Sequence, residues 1–423
     1  MAQASSSSFD KALAVASGVV LGLGARALWD RVRAGSACAG SGGGGKPRSL
    51  EQLVRPNIWG LKPYRCARDD FDSGVLLDAN ENSMGPPCAN ADAFERYPSP
   101  YQWELKALVA RHRGVAKENV FVGVGSDEAI DMLLRIFCVP GRDSILITPP
   151  TYGMYKVCAV TNDVGLVEVP LTPGGGTAGA AGFQLRVAAI LEAVAEARGA
   201  VKIVFACTPG NPTSRMLSRA DIVALLEAPG YDGIVVADEA YIDFAPEGAS
   251  LSELVREYPR LIVLQTMSKA FGLAGIRCGF ALGDEAVVEV LNKVKAPYNM
   301  NKLTSRVAQA AFAEIAKLRA NIGVVLGERA RVAAALEALP SVGAVHHSDT
   351  NFLLFEVAHA HAVYDTMAHA GVVVRYRGTE THCAGCLRAT IGTREENDAF
   401  LAMLAKTAAS LAAADDAKKA AQQ

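Results

Sequence analysis

The sequence predicts an α/β protein with a large mixed or parallel sheet, followed by a smaller α+β domain. Short apolar runs alternate with helical stretches, and most of them end in polar residues, as expected of a parallel α/β sheet. These runs are 119–122, 144–148, 201–205, 233–237 and 261–264. Three later strand patterns, with a helical stretch at 361–370 between the first two, predict the second domain. They cover 351–357, 371–377 and 386–391.

The chain of 423 residues is long enough for two or three packed domains. Composition shifts and the element pattern divide it into successive parts. We predict an N-terminal extension (1–50), an irregular arm (51–100), a large domain (101–300), a small domain (301–412) and a frayed tail (413–423).

The N-terminal extension differs in composition from the rest of the chain. It combines a serine run, the apolar stretch Ala12 to Leu23 and a glycine run that reads as a flexible linker. The apolar stretch is too short to span a bilayer comfortably, and Asp10 stands where a secretory signal carries positive charge. The segment could be an organellar transit segment or a membrane-proximal anchor. The destination therefore stays open between the cytoplasm and an organelle (plastid or mitochondrion).

Composition excludes several classes of function. Half of the residues are hydrophobic and 20% are charged, so the chain is globular. A formal net charge of −2 argues against nucleic acid as the main partner. The nine cysteines are widely spread, which favours reduced thiols. Cys383 and Cys386 form a CxxC pair after His382, but without a second CxxC we predict no metal site.

The segment 266–280 follows an apolar strand and carries Ser268, Lys269 and Arg277. A lysine at the carboxyl end of a buried strand, among small and apolar residues, is partly desolvated, and its neutral amine can form a Schiff base with an aldehyde. Arg277 could clamp a phosphate beside that lysine. The combination suggests pyridoxal phosphate, although a surface Ser-Lys pair in a loop is the alternative.

Polar residues also follow two neighbouring predicted strands. Asp238 comes after four apolar residues, and burying it requires a nearby cation, which a protonated pyridine nitrogen would supply. Asn211 and Tyr241 could each hydrogen-bond the phenolic oxygen of such a ring. Each residue alone could equally serve in loop capping or core packing. Asn, Asp, Tyr, Lys and Arg in this order favour the cofactor site.

A glycine turn at 123–125 leads from a strand into a helix start at Ser126, Asp127 and Glu128. Ser126 is a candidate N-cap, and the free amides of a helix start bind anions, so a phosphate would fit here. A plain strand-to-helix turn is the commoner meaning of Gly-x-Gly alone. Further along, Tyr152 could stack on a planar ring or be an ordinary loop tyrosine.

Together, four segments resemble the fold-type-I pyridoxal-phosphate aminotransferases and, among them, the histidinol-phosphate aminotransferases. The resemblance runs from about Leu53 to Leu404. The segments that carry it are 149–155, 236–241, 266–280 and 385–394.

The resemblance implies a role for each residue. Lys269 would hold the cofactor and shuttle a proton, Asp238 would pair with the pyridinium, and Tyr152 would stack on the ring. Asn211 and Tyr241 would hold the phenolic oxygen. The predicted phosphate ligands are Ser126, Asp127, Glu128, Ser268, Arg277 and, from a second subunit, Tyr97.

The substrate expected from the resemblance is L-histidinol phosphate, which carries a phosphate monoester where an amino acid has its carboxylate. Because a dianion favours two arginines, we predict Arg388 and Arg375 as its ligands, with Tyr64 closing over the substrate. Arg377, two residues from Arg375 on the same strand face, competes for the role.

The expected protein is a homodimeric transaminase of histidine biosynthesis that uses histidinol phosphate, glutamate and 2-oxoglutarate. Two alternatives stay open. One is a broad transaminase of aromatic amino acids, or a relative that decarboxylates a phosphorylated amino acid. The other is a non-catalytic binding module that keeps the aminotransferase fold.

Overall fold

The structure is a computed structural model that describes residues 48–71, 73–88, 94–175 and 182–421, with side chains to residue 414. The predictions for residues 1–47, including the apolar stretch and the glycine run, lie outside this part of the chain. The described residues belong to one unit, Pro47–Gln423. None of the helices described is both long and apolar enough to cross a bilayer.

Seven strands form the large sheet: β1 (Val120–Gly123), β2 (Ser144–Ile147), β3 (Gly165–Glu168), β4 (Val201–Cys207), β5 (Ile234–Asp238), β6 (Leu261–Thr266) and β7 (Gly279–Leu282). Their order is β1-β7-β6-β5-β4-β2-β3. β7 is antiparallel to both neighbours, whereas all other neighbours are parallel. The prediction of a mixed sheet is confirmed.

The central strands of this sheet are buried on both faces. In β5, Val235 and Ala237 pack into one apolar cluster, while Ile234 and Val236 pack into another. Successive residues of a strand point to opposite faces, so a strand covered on both sides must be apolar throughout. This explains why the sequence shows continuous apolar runs instead of alternation.

Helices cover the large sheet and begin the arm: α1 (Leu50–Leu53), α2 (Pro56–Trp59), α3 (Trp103–Arg113), α4 (Gly125–Phe137), α5 (Met154–Thr161), α6 (Val187–Glu196), α7 (Arg219–Glu227) and α8 (Glu285–Val294). The prediction that Ser126 caps α4 is wrong, because the helix begins at Gly125 with Val124 as its N-cap. Gly125 has a positive φ of 74° and donates its amide to the carbonyl of Arg277. The helix therefore starts one residue before Ser126.

Four strands form a second, antiparallel sheet: β8 (Val342–Val345), β9 (Phe352–Val357), β10 (Arg375–Tyr376) and β11 (Cys386–Thr390). Their order is β10-β11-β9-β8. The predicted strand over 371–377 shrinks to the two residues of β10. Gly371 has a φ of 91°, and the amide of Val372 bonds to the end of the preceding helix. The strand therefore begins only at Arg375.

The later helices are α9 (Lys302–Ala313), α10 (Ile315–Glu337), α11 (Ala360–His369) and α12 (Arg394–Ala421). The capping box predicted for α12 is confirmed, since Thr393 and Glu396 exchange side-chain to backbone hydrogen bonds. The helix continues to Ala421, so the frayed tail predicted for 413–423 is helical over most of its length. This segment is rich in alanine and contains neither glycine nor proline, which favours helix.

Candidate active site

The predicted site residues meet where β4, β5 and β6 end. These strands are parallel neighbours, so their carboxyl ends share one edge of the sheet. Asp238 is the last residue of β5, Asn211 follows β4, and Lys269 follows β6. The sheet topology therefore brings together residues that are far apart in sequence.

Asp238 is 3% exposed and accepts two hydrogen bonds. The Tyr155 hydroxyl donates to Oδ2 at 2.6 Å, and the amide of Ala240 donates to Oδ1 at 3.2 Å. Burial raises the pKa of Asp238 to about 6, and the bond from Tyr155 opposes this rise. No salt bridge to this carboxylate is formed by the residues that the structure describes.

Tyr155 is a site residue that the sequence analysis did not assign. It lies at the start of α5, is fully buried, and stacks on Phe205 with ring centroids 4.5 Å apart. Burial raises its pKa well above the ordinary value, so the hydroxyl remains a donor to Asp238. The signal in the sequence that could have identified Tyr155 as a site residue was its place in the segment 149–155, three residues after Tyr152.

Lys269 is partly buried, as the sequence predicts. Its Nζ lies 5.3 Å from the centroid of the Tyr241 ring. Burial lowers the pKa of Lys269, and the nearby charge of Arg388 lowers it further. A lysine with a lowered pKa keeps more of its amine neutral, which is the form that attacks an aldehyde.

Arg388 of β11 extends the site onto the small sheet. Its Nη1 donates to Oδ1 of Asn211, and its guanidinium lies 5.1 Å from the centroid of the Phe352 ring. Tyr241 packs edge-on against the same ring, at 5.2 Å. The two sheets thus contribute to one group of side chains that contains Asn211, Tyr241, Lys269 and Arg388.

Ser268, Arg277 and the first turn of α4 form the predicted phosphate site. Arg277 reaches Oγ of Ser268 at 3.4 Å and Oδ2 of Asp127 at 3.3 Å. The backbone of α4 packs closely on β7, since a Cβ at Gly279 would lie 2.2 Å from the amide nitrogen of Ser126. Only glycine allows this approach, which sets the helix amides beside Arg277 and Ser268.

Glu128 and Tyr152 line the same region in different ways. The carboxylate of Glu128 accepts bonds from the amide of Val124 at 2.6 Å and from Nδ2 of Asn299 at 3.0 Å. It therefore closes the loop before α4, and the contact of Glu128 with a phosphate stays a prediction. Tyr152 donates from its hydroxyl to Oδ1 of Asp127 at 3.1 Å, which fixes its ring near Asp238 and Tyr155.

Two further arginines, Arg375 and Arg377, stand two residues apart in the segment beside Arg388. Arg375 is exposed, and its Cα pairs directly with that of Arg388 across the antiparallel register. Arg377 instead donates from Nη1 to Glu380 at 2.6 Å, and its amide bonds to the carbonyl of Cys386. The charge of Arg377 is thus partly compensated within the chain.

Tyr64 and Tyr97 lie together on the surface, at 57% and 50% exposure. Tyr97 stacks on Tyr298 with ring centroids 4.5 Å apart, and Tyr64 meets Tyr298 edge-on at 6.2 Å. Tyr298 has a left-handed φ of 55° and was not assigned from the sequence. Large exposed aromatic groups of this kind are typical of a surface that a partner covers.

The fold and the site define an aminotransferase of the class I and II type. The sequence model of "Aminotransferase class I and II" matches residues 72–404. A histidinol-phosphate aminotransferase from Parabacteroides distasonis is 45% identical over 84% of this chain and 97% of its own length. One from Schizosaccharomyces pombe is 44% identical over 83% and 96%.

A solved structure gives the same fold. The histidinol-phosphate aminotransferase of Sinorhizobium meliloti, in complex with pyridoxal-5'-phosphate, superposes with a TM-score of 0.67 at 24% identity, over 84% of this chain and 97% of that one. The chain belongs to the class I and II aminotransferases and, within them, to the histidinol-phosphate aminotransferase family.

Proposed function

We propose that this protein is a pyridoxal-phosphate-dependent transaminase of histidine biosynthesis. It interconverts L-histidinol phosphate plus 2-oxoglutarate with imidazole-acetol phosphate plus L-glutamate. The observation that carries the proposal is the direct pairing of Arg375 with Arg388 in the small sheet, next to the group that contains Lys269. The names of the relatives at 44–45% identity support the same substrate.

The buried side chains fit the cofactor. Asp238 is a buried carboxylate with hydrogen bonds but no salt bridge among the described residues, so a pyridinium N–H would supply the missing cation. Bound pyridoxal phosphate supplies the electron sink that transamination needs. Ser268, Arg277 and the amides at the start of α4 would hold its phosphate.

Lys269 and its neighbours carry the proton chemistry. Burial and Arg388 lower the pKa of Lys269, so its amine can accept a proton from the amine-bearing carbon of the substrate and return it. Asn211 and Tyr241 would hold the phenolic oxygen of the ring. Tyr152, held through Asp127, would cover one ring face.

Two arginines fit the substrate's phosphate better than one. A phosphate monoester carries nearly two negative charges, and each guanidinium offers a forked pair of donors. Arg388 is anchored by Asn211 and by Phe352. Arg375 is exposed beside it, whereas Arg377 already pairs with Glu380, so we assign the second phosphate contact to Arg375.

We further propose a homodimer with a shared site. Tyr64, Tyr97 and Tyr298 form an exposed aromatic group on the surface of one chain. In the dimer, Tyr97 would reach the partner's cofactor phosphate, and Tyr64 would close over the substrate. The arm (51–100) would then serve the interface, while 101–300 and 301–412 would form the large and small domains.

A half-reaction tests the proposed substrate. The full-length chain is loaded with pyridoxal phosphate, and the cofactor absorbance is followed after addition of either L-histidinol phosphate or L-phenylalanine, without an acceptor. We expect conversion to the pyridoxamine form at least about tenfold faster with histidinol phosphate, since one phosphate contact contributes roughly 1.5–3 kcal/mol. Comparable rates would favour a broad aromatic transaminase, and no conversion with either donor would favour a binding module.

A further inference from the structure

Three potential metal ligands meet on the small sheet, apart from the residues assigned above. His346 follows β8, Glu356 lies on β9, and Cys386 begins β11. Glu356 and Cys386 are direct partners in the antiparallel register, so their side chains share one face of the sheet. A ring nitrogen of His346, a carboxylate oxygen of Glu356 and the Cys386 sulfur all lie within 4.8 Å of one another.

Cys383 lies beside Cys386 and offers a second thiol. The amide of Cys386 donates to the carbonyl of Cys383 at 2.9 Å, and the intervening Gly385 has a left-handed φ of 72°. This turn holds the two sulfur atoms near each other, and both cysteines are fully buried.

His346 supplies an independent sign that the group lacks a ligand. It is 5% exposed and packs edge-on against Phe183, with ring centroids 5.2 Å apart. Its Nε2 is buried and has no hydrogen-bond partner in the described part of the chain. A buried imidazole nitrogen without a partner is costly, and a metal ion would satisfy it.

We propose that His346, Glu356, Cys383 and Cys386 bind one zinc ion. Two thiolates, one imidazole and one carboxylate are donors that zinc takes in closed, four-coordinate sites. Zinc bonds of roughly 2.0–2.3 Å place neighbouring donors about 3.3–3.8 Å apart. The donor atoms of His346, Glu356 and Cys386, which lie within 4.8 Å of one another, must therefore draw together by about 1 Å. Cys383 lies outside that set of three, so its side chain must turn toward it. The partly exposed Glu356 gives the ion a route in from solvent.

The site would have a structural role. It joins β9, β11 and the segment after β8, and Cys386 precedes Arg388 by two residues on the same strand face. Bound zinc would therefore stiffen the strand that carries Arg388. The sequence analysis predicted no metal because it considered His382 beside the CxxC pair, whereas the fold brings His346 and Glu356 from distant positions.

The test uses Co²⁺ as the probe on the full-length, cofactor-loaded chain after reduction and removal of metal with a chelator. We expect one Co²⁺ per chain, the intense visible bands of a tetrahedral site, and their loss when Zn²⁺ is added. The Cys386→Ser and His346→Gln variants should bind Co²⁺ at least about tenfold more weakly. Cys158→Ser, a change at a buried free thiol on α5, should bind it like the parent.

Absence of tetrahedral bands in the reduced parent chain would overturn the proposal. Bands of equal intensity in the Cys386→Ser variant would overturn it as well. Because the buried positions could disturb folding, Glu356→Gln is measured in parallel. It changes a partly exposed ligand and should weaken Co²⁺ binding while thermal melting of the metal-free protein stays close to that of the parent.

Discussion

The hydroxyl of Tyr155 lies 2.6 Å from Oδ2 of Asp238, and both side chains are almost completely buried. Burial alone would favour the protonated, neutral carboxyl, and the hydrogen bond from Tyr155 favours the carboxylate. A charged Asp238 is what a pyridinium ring requires. Tyr155 is therefore a positioning residue that keeps Asp238 in its useful charge state.

We predict that Tyr155→Phe weakens cofactor binding by about 10- to 100-fold. The change removes a hydrogen bond to a charged group, which contributes roughly 1.5–3 kcal/mol. Absorbance titration of cofactor-free protein with pyridoxal phosphate measures the dissociation constant. Tyr231→Phe is the control, because that buried hydroxyl bonds to the carbonyl of Ile234. Equal losses in both variants would assign the effect to core packing.

For Arg375→Ala we expect a larger loss of kcat/KM with histidinol phosphate than with phenylalanine. One contact to the phosphate disappears, which corresponds to roughly a 10- to 100-fold selective loss. Arg377→Ala is the matched comparison, since Arg377 pairs with Glu380 and should lose little selectivity. Steady-state kinetics with both donors decide between them. A selective loss in Arg377→Ala alone would exchange the two assignments.

Asp238 also predicts a pH dependence of the cofactor-free protein. Its pKa in the folded chain is raised to about 6 from 3.8, so the folded state binds more protons than the unfolded state between these values. The stability contributed by this group is present below about pH 4 and is lost as pH rises through 6. At pH 7 the ionisation of buried Asp238 lowers the free energy of unfolding by about 3 kcal/mol, because each unit of pKa difference corresponds to about 1.36 kcal/mol.

The measurement compares thermal melting of cofactor-free parent and Asp238→Asn between pH 4 and pH 7. The asparagine cannot ionise, so the variant should gain stability relative to the parent as pH rises and reach a plateau above pH 6. A difference between the two proteins that does not change with pH would contradict the raised pKa.

Local patterns predicted much of this fold and site. Continuous apolar runs identified the central strands, and the polar residues after them led us to predict Asn211, Asp238 and Lys269 as site residues. Similar patterns predicted three strands of the small sheet, but neither β8 nor the antiparallel pairing. Prediction was poorer at β10. There the positive φ of Gly371 and a hydrogen bond to the end of α11 keep the apolar residues before Arg375 out of the strand.

Contacts between distant side chains could not be predicted in the same way. Tyr155 reaches Asp238 from the start of α5, a helix that packs against β2 and β3, and nothing in its local sequence fixes that direction. His346, Glu356 and Cys386 meet only through the register of the small sheet. The start of α4 depends on a bond to Arg277, far along the chain. These features arise from packing, which local periodicity does not encode.

The last prediction concerns the exposed Tyr97 and the proposed dimer. If Tyr97 reaches the partner's site, the two substitutions act on different sites. Lys269→Ala inactivates the site of its own chain, whereas Tyr97→Ala impairs the site of the partner chain. Lys269→Ala should abolish transamination while the cofactor still binds without a covalent link, and Tyr97→Ala should lose at least about tenfold in activity.

Co-expression of the two variants with different affinity tags allows the hybrid dimer to be purified. One of its two sites would combine an intact Lys269 from one chain with an intact Tyr97 from the other, so activity should return. The control is the hybrid of Lys269→Ala with a chain carrying both substitutions, which has no intact site in this arrangement. If Tyr97 served its own chain, the first hybrid would be no more active than the Tyr97→Ala variant, and the control hybrid would have no activity in either case.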